Sequence, residues 1–272
     1  MQHSRFELKY LVTETTAERV RDFVRCYLAM DEFGVGKANY SYPVHSLYMD
    51  SDNLEIYWRT VNGDKNRFKL RLRYYEERPG TPVFFEIKSR MDNCILKERC
   101  AVNREAVPLL LAGQLPDPDQ VLSREGRHLA TLQRFNLLLH QLNARPKAHN
   151  TYLREAWVSR HDNSVRVTLD RQVRIEPQFI AQAVTEMKRP TRIFGEFVIL
   201  EMKFTNRFPN WFEHLVRRFS LMRLTASKYG EGMLVLGESR FHDGDRAFDW
   251  RNLAPREVES VAQSETASLN VE

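Results

Sequence analysis

Cysteine is scarce in this chain, and the few cysteines present are not spaced for a shared task. Cys26, Cys94 and Cys100 are its three cysteines among 272 residues. An odd number argues against a disulfide framework, and these spacings match no zinc pattern. The histidines are scattered and add no zinc-like cluster. We therefore expect a reducing, cytoplasmic environment and no zinc site.

Long apolar segments are lacking as well. The longest apolar runs, such as Val107 to Ala112, fall far short of the length that crosses a membrane. The N-terminal sequence MQHSRF has no apolar stretch of the kind found in signal peptides. We expect a soluble protein without a membrane span, which would contact a membrane only through a partner protein.

Blocks of a single charge are also missing. The chain has 41 Lys and Arg against 36 Asp and Glu, and its formal net charge is +5. The bases are spread along the chain and form no basic tail of the kind that binds nucleic acid. This balance fits a phosphate-rich partner, and we expect that partner not to be a nucleic acid.

The sequence does contain strands in which every second residue is charged. The clearest is the segment FKLRLRYY, from Phe68 to Tyr75. Because side chains alternate across a strand, Lys69, Arg71 and Arg73 share one face and apolar side chains occupy the other. The same alternation recurs in other predicted strands, where acids are mixed among the bases.

The overall pattern predicts a β-rich α+β domain in which helices are inserted between two runs of strands. Predicted strands cover residues 5–11, 44–50, 67–75, 83–88, 94–102, 152–159, 164–170, 172–175 and 197–204. Predicted helices follow Thr13, lie near residues 54–58, and cover residues 104–115, 124–143 and 211–221. We predict one domain over residues 1–238 and a partly disordered C-terminal extension over residues 239–272, because the last residues lack periodicity.

Two structures would explain the charged strand faces. They are either the exposed faces of ordinary antiparallel sheets or the polar interior of a closed barrel, which would account for all of them together. Alternation assigns these positions to the charged faces: Glu7, Lys9, Lys69, Arg71, Arg73, Glu86, Lys88, Lys97, Arg99, Arg154, Arg166, Asp170, Glu201 and Lys203.

The chemistry of such an interior would suit a polyanion. Arginine and lysine neutralise phosphate oxygens, and a triphosphate carries about four negative charges near neutral pH. Interleaved acids would relieve the repulsion among the bases and supply oxygen ligands for Mg²⁺ or Mn²⁺. Phosphoryl transfer depends mainly on positioning and electrostatics, so no nucleophilic serine or cysteine is required.

Six short motifs in order resemble a known family. They are Phe6–Tyr10 (FELKY), Ser46–Ser51 (SLYMDS), Lys69–Arg73 (KLRLR), Phe85–Lys88 (FEIK), Leu200–Lys203 (LEMK) and Ser227–Tyr229 (SKY). Together they resemble the VTC domain of polyphosphate polymerases, within the CYTH or triphosphate tunnel metalloenzyme superfamily. The resemblance implies an antiparallel eight-stranded β-barrel tunnel with a polar, cationic lumen and helices packed outside.

The resemblance also implies roles for individual residues. The phosphate-binding cations would be Lys9, Arg71, Arg73, Lys88, Lys97, Arg154, Arg166, Lys203 and Lys228. Glu201 resembles the family's metal-binding glutamate, and Glu7 and Asp170 would assist it in holding Mn²⁺ or Mg²⁺. Arg71, Arg73, Lys88 and Glu201 would form the catalytic group.

The implied reaction is transfer of the γ-phosphoryl group of ATP to a growing inorganic polyphosphate. Many superfamily members carry a Glu-x-Glu-x-Lys strand, whereas this chain has only Glu7 before Lys9. That departure agrees with the VTC branch and disfavours a two-metal hydrolase. A tripolyphosphatase or nucleoside triphosphatase of the same architecture and a non-catalytic polyphosphate-binding module remain as alternatives. The oligomeric state stays open.

Overall fold

Ten strands and six α-helices form the part of the chain that the computed structural model describes, which is residues 5–241 without 93, 124, 163 and 225. The strands are β1 (Arg5–Val12), β2 (Ala29–Met30), β3 (Ser41–Asp50), β4 (Asn66–Tyr74), β5 (Val83–Met91), β6 (Cys94–Val102), β7 (Arg145–Val158), β8 (Val165–Pro177), β9 (Thr191–Arg192) and β10 (Val198–Thr205). The helices are α1 (Glu14–Val24), α2 (Glu55–Val61), α3 (Val107–Leu111), α4 (Gly126–Gln141), α5 (Asn210–Arg218) and α6 (Lys228–Leu236).

All strands belong to one antiparallel sheet, in the order β2-β7-β3-β4-β5-β6-β1-β10-β8-β9. An additional ladder joins β7 to β8, so the sheet turns back on itself. Within the described residues, the weakest junction lies between β1 and β6, where the ladder consists of the pair Arg5↔Ile95. The sheet is therefore strongly curved and is not closed into a barrel along this seam.

The two faces of the sheet differ as the alternation predicts. Apolar side chains of β4 and β5, including Leu70, Leu72 and Phe85, are fully buried beneath α2, α3, α4 and α6. A second apolar cluster lies where α1 and α5 cover β1, β8 and β10, with Val20 and Leu215 from the helices at its centre. Because the helices cover the apolar face, the charged positions are left on the opposite, concave face.

The predicted α+β class and the antiparallel sheet are confirmed, whereas the predicted eight-stranded closed barrel is corrected. Two additional strands, β2 and β9, are only two residues long and extend the ends of the sheet. The β7–β8 ladder connects the other eight strands in a ring, and among the described residues the β1–β6 seam of that ring is not closed, because one residue pair does not form a continuous ladder.

The two predicted strands at residues 164–170 and 172–175 are one strand, β8. At Gln172 the backbone has φ of 50°, and the β7–β8 register shifts between Thr151 and Leu153. This is a β-bulge, in which an extra residue bends the strand without ending it. The gap predicted at Arg171 lies directly before this bulge, within one continuous strand.

Helices α1 to α5 agree in position with the predictions and differ in length, whereas α6 lies where no helix was predicted. Thr13 caps α1, since its side chain accepts a hydrogen bond from the Thr16 amide. The predicted helix over residues 104–115 is a short 3₁₀ turn followed by α3, which ends at Leu111. No helix within the described residues is long and apolar enough to cross a membrane.

The predicted domain boundary at residue 238 falls in a 3₁₀ turn, Glu238–Phe241. Phe241 is buried in the larger apolar cluster, and Tyr57 donates a hydrogen bond to Glu238 at 2.7 Å. The boundary itself stays a prediction. Most of the predicted extension, residues 242–272, lies outside the described residues.

Candidate functional site

A fully buried carboxylate, Glu86 of β5, lies at the centre of the first group of charges on the concave face. Arg71 donates two hydrogen bonds to Glu86 Oε2, at 2.8 and 2.6 Å. Lys97 Nζ lies 2.6 Å from Glu86 Oε1, while the nearest nitrogens of Arg99 and Arg73 lie at 3.5 and 3.8 Å. These five residues are called the Glu86 cluster below, and their bases come from the two strands that flank β5.

A second carboxylate, Glu201 of β10, is contacted by four bases from four different elements. Lys203 and Lys228 donate hydrogen bonds to it at 2.5 and 2.9 Å. Lys9 Nζ and Arg154 Nη2 lie 3.3 and 3.5 Å from its oxygens. Together with Asp170, described next, these residues form the Glu201 cluster.

Asp170 adds a second acid to the Glu201 cluster. It is fully buried in β8, where Arg154 donates to both of its oxygens at 2.7 Å. Lys228 Nζ lies 2.7 Å from Asp170 and 2.9 Å from Glu201, so one ammonium group bridges the two carboxylates. A paired arrangement of this kind lowers the cost of burying like charges side by side.

Glu7 of β1 connects the Glu201 cluster to Lys88 of β5. Lys88 of β5 donates to Glu7 at 2.9 Å, and Lys9 lies 3.2 Å from Glu7 while also contacting Glu201. Strand β6 separates β1 from β5 in the sheet order. In a flat sheet strands two positions apart are about 10 Å from each other. Contact between their side chains therefore reflects the curvature of this face.

The start of α6 delivers Lys228 to the site. Ser227 is its N-cap, accepting a hydrogen bond from the Gly230 amide, and it also accepts one from Lys69 Nζ at 2.8 Å. Further along the helix Gly232 lets α6 approach β8 closely, because a Cβ there would lie 2.4 Å from Ile175 Cδ1. The motif SKY is thus both a helix cap and a donor to the charged face.

The acids of this face are held ionised. Burial alone would raise the pKa of Glu86, but Lys97 and the neighbouring arginines hold that pKa well below its usual range. The pKa of Glu201 is likewise held well below its usual range, because Lys203, Lys228 and Lys9 outweigh the effect of burial. The carboxylates therefore stay negative near neutral pH and balance part of the surrounding positive charge.

Several bases are not fully compensated. Burial lowers the pKa of Lys203 to about 8. Burial and the nearby bases Lys9 and Lys88 also hold the pKa of Lys69 well below its usual range. In contrast, the pKa of Lys228 is raised, since Asp170 and Glu201 outweigh its burial. The face therefore retains excess positive charge that a polyanion would stabilise.

The structure brings eight of the nine predicted phosphate-binding residues into contact with the acids of this face, whereas Arg166, which lies opposite Lys203 in the β8–β10 ladder, has other partners. Lys9, Arg154, Lys203 and Lys228 lie in the Glu201 cluster, Arg71, Arg73 and Lys97 lie in the Glu86 cluster, and Lys88 joins them through Glu7. Arg166 instead donates to Asp31 at 2.5 Å and to the Tyr42 hydroxyl at 3.4 Å.

Some residues of the face were absent from the predicted site. Arg73 donates to the Tyr152 hydroxyl at 3.0 Å, and Arg71 donates to the Tyr48 hydroxyl at 3.2 Å. The alternation of β3 and β7 places both tyrosines on this face. The sequence does not single out these two residues as site residues, because a tyrosine on a strand is more often part of the core.

The predicted metal ligands do not form a preassembled protein site. Within the described residues no three His, Cys, Asp or Glu side chains are grouped so as to hold one metal ion. Lys9 lies between Glu7 and Glu201, and Lys228 lies between Glu201 and Asp170. Glu7 Oε1 is buried, and Lys9 Nζ lies 3.2 Å from it. These oxygens fit a Mg²⁺ or Mn²⁺ ion that takes most of its ligands from phosphate.

The chain is similar to one known protein family and to a solved structure. The model of the VTC domain matches residues 4–237. A solved structure from Bacillus halodurans, described as a candidate adenylate cyclase, has 13% sequence identity and a TM-score of 0.47, and the match covers 84% of this chain and 96% of that one. A search of curated proteins gives no match. Since the family model spans most of its length, the chain belongs to the VTC domain family.

Proposed function

We propose that this protein is a metal-assisted phosphotransferase that moves the γ-phosphoryl group of ATP onto a growing inorganic polyphosphate. The observation that carries the proposal is the convergence of bases on one concave face. They outnumber its acids by more than two to one: Lys9, Lys69, Arg71, Arg73, Lys88, Lys97, Arg99, Arg154, Lys203 and Lys228 stand against Glu7, Glu86, Asp170 and Glu201.

The concave face would act as the wall of a tunnel for the phosphate chain. Arg71, Arg73 and Lys88 would hold one part of the chain, and Arg154, Lys203 and Lys228 would hold another. Thr168 lies opposite Glu201 in the β8–β10 ladder, and its buried hydroxyl has no hydrogen-bond partner among the described residues. It is therefore available to donate to a phosphate oxygen.

In the proposed reaction a terminal oxygen of the polyphosphate attacks the γ-phosphorus of ATP. The bond from that phosphorus to the β–γ bridging oxygen breaks, and ADP leaves. The attacking oxygen is already anionic, so no side chain has to remove a proton. The bases keep the two anions in line and stabilise the charge that develops on the transferred group.

Glu201 and Glu7 would hold the Mn²⁺ or Mg²⁺ ion together with phosphate oxygens. When bound, such an ion would neutralise charge on the β- and γ-phosphates. Lys9 and Lys203 contact Glu201 in this structure and would turn to the incoming phosphates. We also propose the cytoplasm as the location, consistent with the scarcity of cysteine.

The test is to incubate purified protein with ATP and Mn²⁺ or Mg²⁺ and to resolve the products on a gel. Polymerase activity gives long-chain polyphosphate together with ADP. Release of orthophosphate without chain growth would instead identify a hydrolase. Polyphosphate binding without turnover, unchanged in Glu201→Gln, would identify a binding module. Either of these results would overturn the proposed reaction.

A further inference from the structure

Four aromatic side chains form a continuous arc at one edge of the charged face. Phe33 contacts Tyr42, Tyr42 contacts Tyr75, and Tyr75 contacts Phe84, with ring centroids 5.8, 6.3 and 6.0 Å apart. Tyr42 lies near the start of β3, Tyr75 directly follows β4, and Phe84 lies near the start of β5. These three adjacent strands therefore place their rings at the same end of the sheet. We call these four residues the aromatic arc.

Two bases of the charged face contact the aromatic arc, one at Tyr42 and one at Phe84. Arg166 donates to the Tyr42 hydroxyl at 3.4 Å. Arg99 lies over the Phe84 ring, 3.4 Å from its centroid, and also 3.5 Å from Glu86. Arg166 lies opposite Lys203 in the β8–β10 ladder, and Arg99 shares Glu86 with Arg71, so the arc lies beside the cations that we assign to phosphate.

The arc has an exposed end. Phe33 is 60% exposed, although it is a large apolar side chain next to an otherwise charged region. It is not on a loose segment, because Asp31 accepts a hydrogen bond from the Phe33 amide at 3.0 Å and pairs with Arg166 at 2.5 Å. The same carboxylate therefore fixes the exposed ring in relation to a base of the charged face.

A phosphate chain offers nothing that an aromatic ring would bind. A nucleobase has a flat π face that stacks on such rings, and its own triphosphate extends away from it. Resting on the proposed function, we infer that the aromatic arc is the stacking platform for the nucleobase of the phosphoryl donor. The donor is then a nucleoside triphosphate and not an inorganic triphosphate.

Stacking through the π face also sets the expected selectivity. Every base has such a face, so an aromatic platform discriminates weakly between purines. The inference therefore predicts similar affinities for ATP and GTP, and weaker affinity for a triphosphate that has no base. The Tyr42 hydroxyl stays protonated in this setting, because burial raises the pKa of Tyr42 to about 12.

The experiment compares binding of ATP and of inorganic tripolyphosphate to the wild type and to Phe33→Ala by calorimetry, without turnover. We expect Phe33→Ala to weaken ATP binding about tenfold, the scale of one lost stacking contact, and to leave tripolyphosphate within about twofold. Phe33→Trp should restore ATP binding. The matched control is Tyr27→Ala, which removes an exposed ring stacked on Trp211 away from the charged face and should change neither affinity.

Equal weakening of both ligands in Phe33→Ala, or no weakening of either, would overturn the inference. The proposed function can fail independently of it. If ATP binds through the arc but no polymer forms, the inference stands and the polymerase proposal falls. If polymer forms while Phe33→Ala leaves ATP binding unchanged, the polymerase proposal stands and the inference falls.

Discussion

The Glu86 cluster and the Glu201 cluster are built from the same residue types but differ in depth and in source. Lys97 and Arg99 of the Glu86 cluster have side chains that are 42% and 35% exposed. In the Glu201 cluster no base exceeds the 20% exposure of Lys9. The deeper cluster also has two acids. Its bases come from β1, β7, β10 and α6, whereas those around Glu86 come from β4 and β6.

This difference suggests that the two clusters have different functions. The more open, single-acid cluster suits reversible capture of a phosphate chain. The deeper, two-acid cluster suits a metal ion and the transferred group, because charge interactions are stronger where water is excluded. The comparison makes predictions that separate the two clusters, since the first should govern binding and the second should govern turnover.

The largest expected effect is on turnover in Glu201→Gln. The amide cannot replace the carboxylate as a metal ligand, so we expect polymer formation to fall about a hundredfold or more. Triphosphate binding should persist, because Lys9, Lys203 and Lys228 then lack the acid that competes with phosphate. Rates on gels and calorimetric affinities measure the two effects. Normal turnover in Glu201→Gln would contradict the assignment of catalysis to the Glu201 cluster.

The next effect is on stability, in Arg71→Ala. Glu86 is fully buried, and Arg71 donates two hydrogen bonds to it. We expect a loss of about 3 kcal/mol in the free energy of unfolding, at the low end for breaking a buried pair because other bases remain near Glu86. Adding Glu86→Gln should recover part of that loss. Urea denaturation of the wild type and of the single and double variants measures these free energies of unfolding. Equal stability of Arg71→Ala and the wild type would contradict the account.

A smaller effect concerns pH and Lys203. Burial lowers the pKa of Lys203 to about 8, so between pH 8 and 10.5 the unfolded chain holds more protons and stability rises with pH. Triphosphate binding should instead weaken as the pH rises over this range, because bound phosphate favours the charged ammonium of Lys203. Calorimetry near pH 8.5 in two buffers should show proton uptake on binding, reduced in Lys203→Arg. If proton uptake in Lys203→Arg equals that of the wild type, groups other than Lys203 bind the proton.

The smallest effect is expected at Lys69, which bonds to Ser227 but has no ion pair among the described residues. Replacing this half-buried ammonium, which has no acid partner among the described residues, with a side chain of similar length removes a desolvation cost. We expect Lys69→Met to be more stable than the wild type by about 1 kcal/mol. Thermal unfolding checks this. A destabilised variant would show that the hydrogen bond to Ser227 outweighs the cost of burial.

Much of this face could be predicted from alternation alone. The KLRLR strand presents Arg71 and Arg73 as expected, and the acids Glu7, Glu86, Asp170 and Glu201 fall among the bases. The pairing partners could not be predicted, since they depend on sheet curvature that brings β1 close to β5. Local pattern carries no information on contacts between distant strands.

Two other features could not be predicted from the sequence, for a similar reason. The bulge at Gln172 changes which residues of β8 face inward, and a break in alternation does not distinguish a bulge from a strand end. Arg166 fits the alternation but is paired with Asp31, a residue from the loop that carries Phe33. Side chains contributed by a loop cannot be placed from strand periodicity.

The central claim is that the concave face holds the phosphate chain of the substrate. The most direct test is a crystal structure of the protein with tripolyphosphate and Mn²⁺. We predict phosphate oxygens within hydrogen-bond distance of Arg71, Arg73 and Lys88 and of Lys203 and Lys228, with the metal ion on Glu201. A tripolyphosphate bound on the outer helices, with the ion pairs of Glu86 and Glu201 unchanged, would contradict the account.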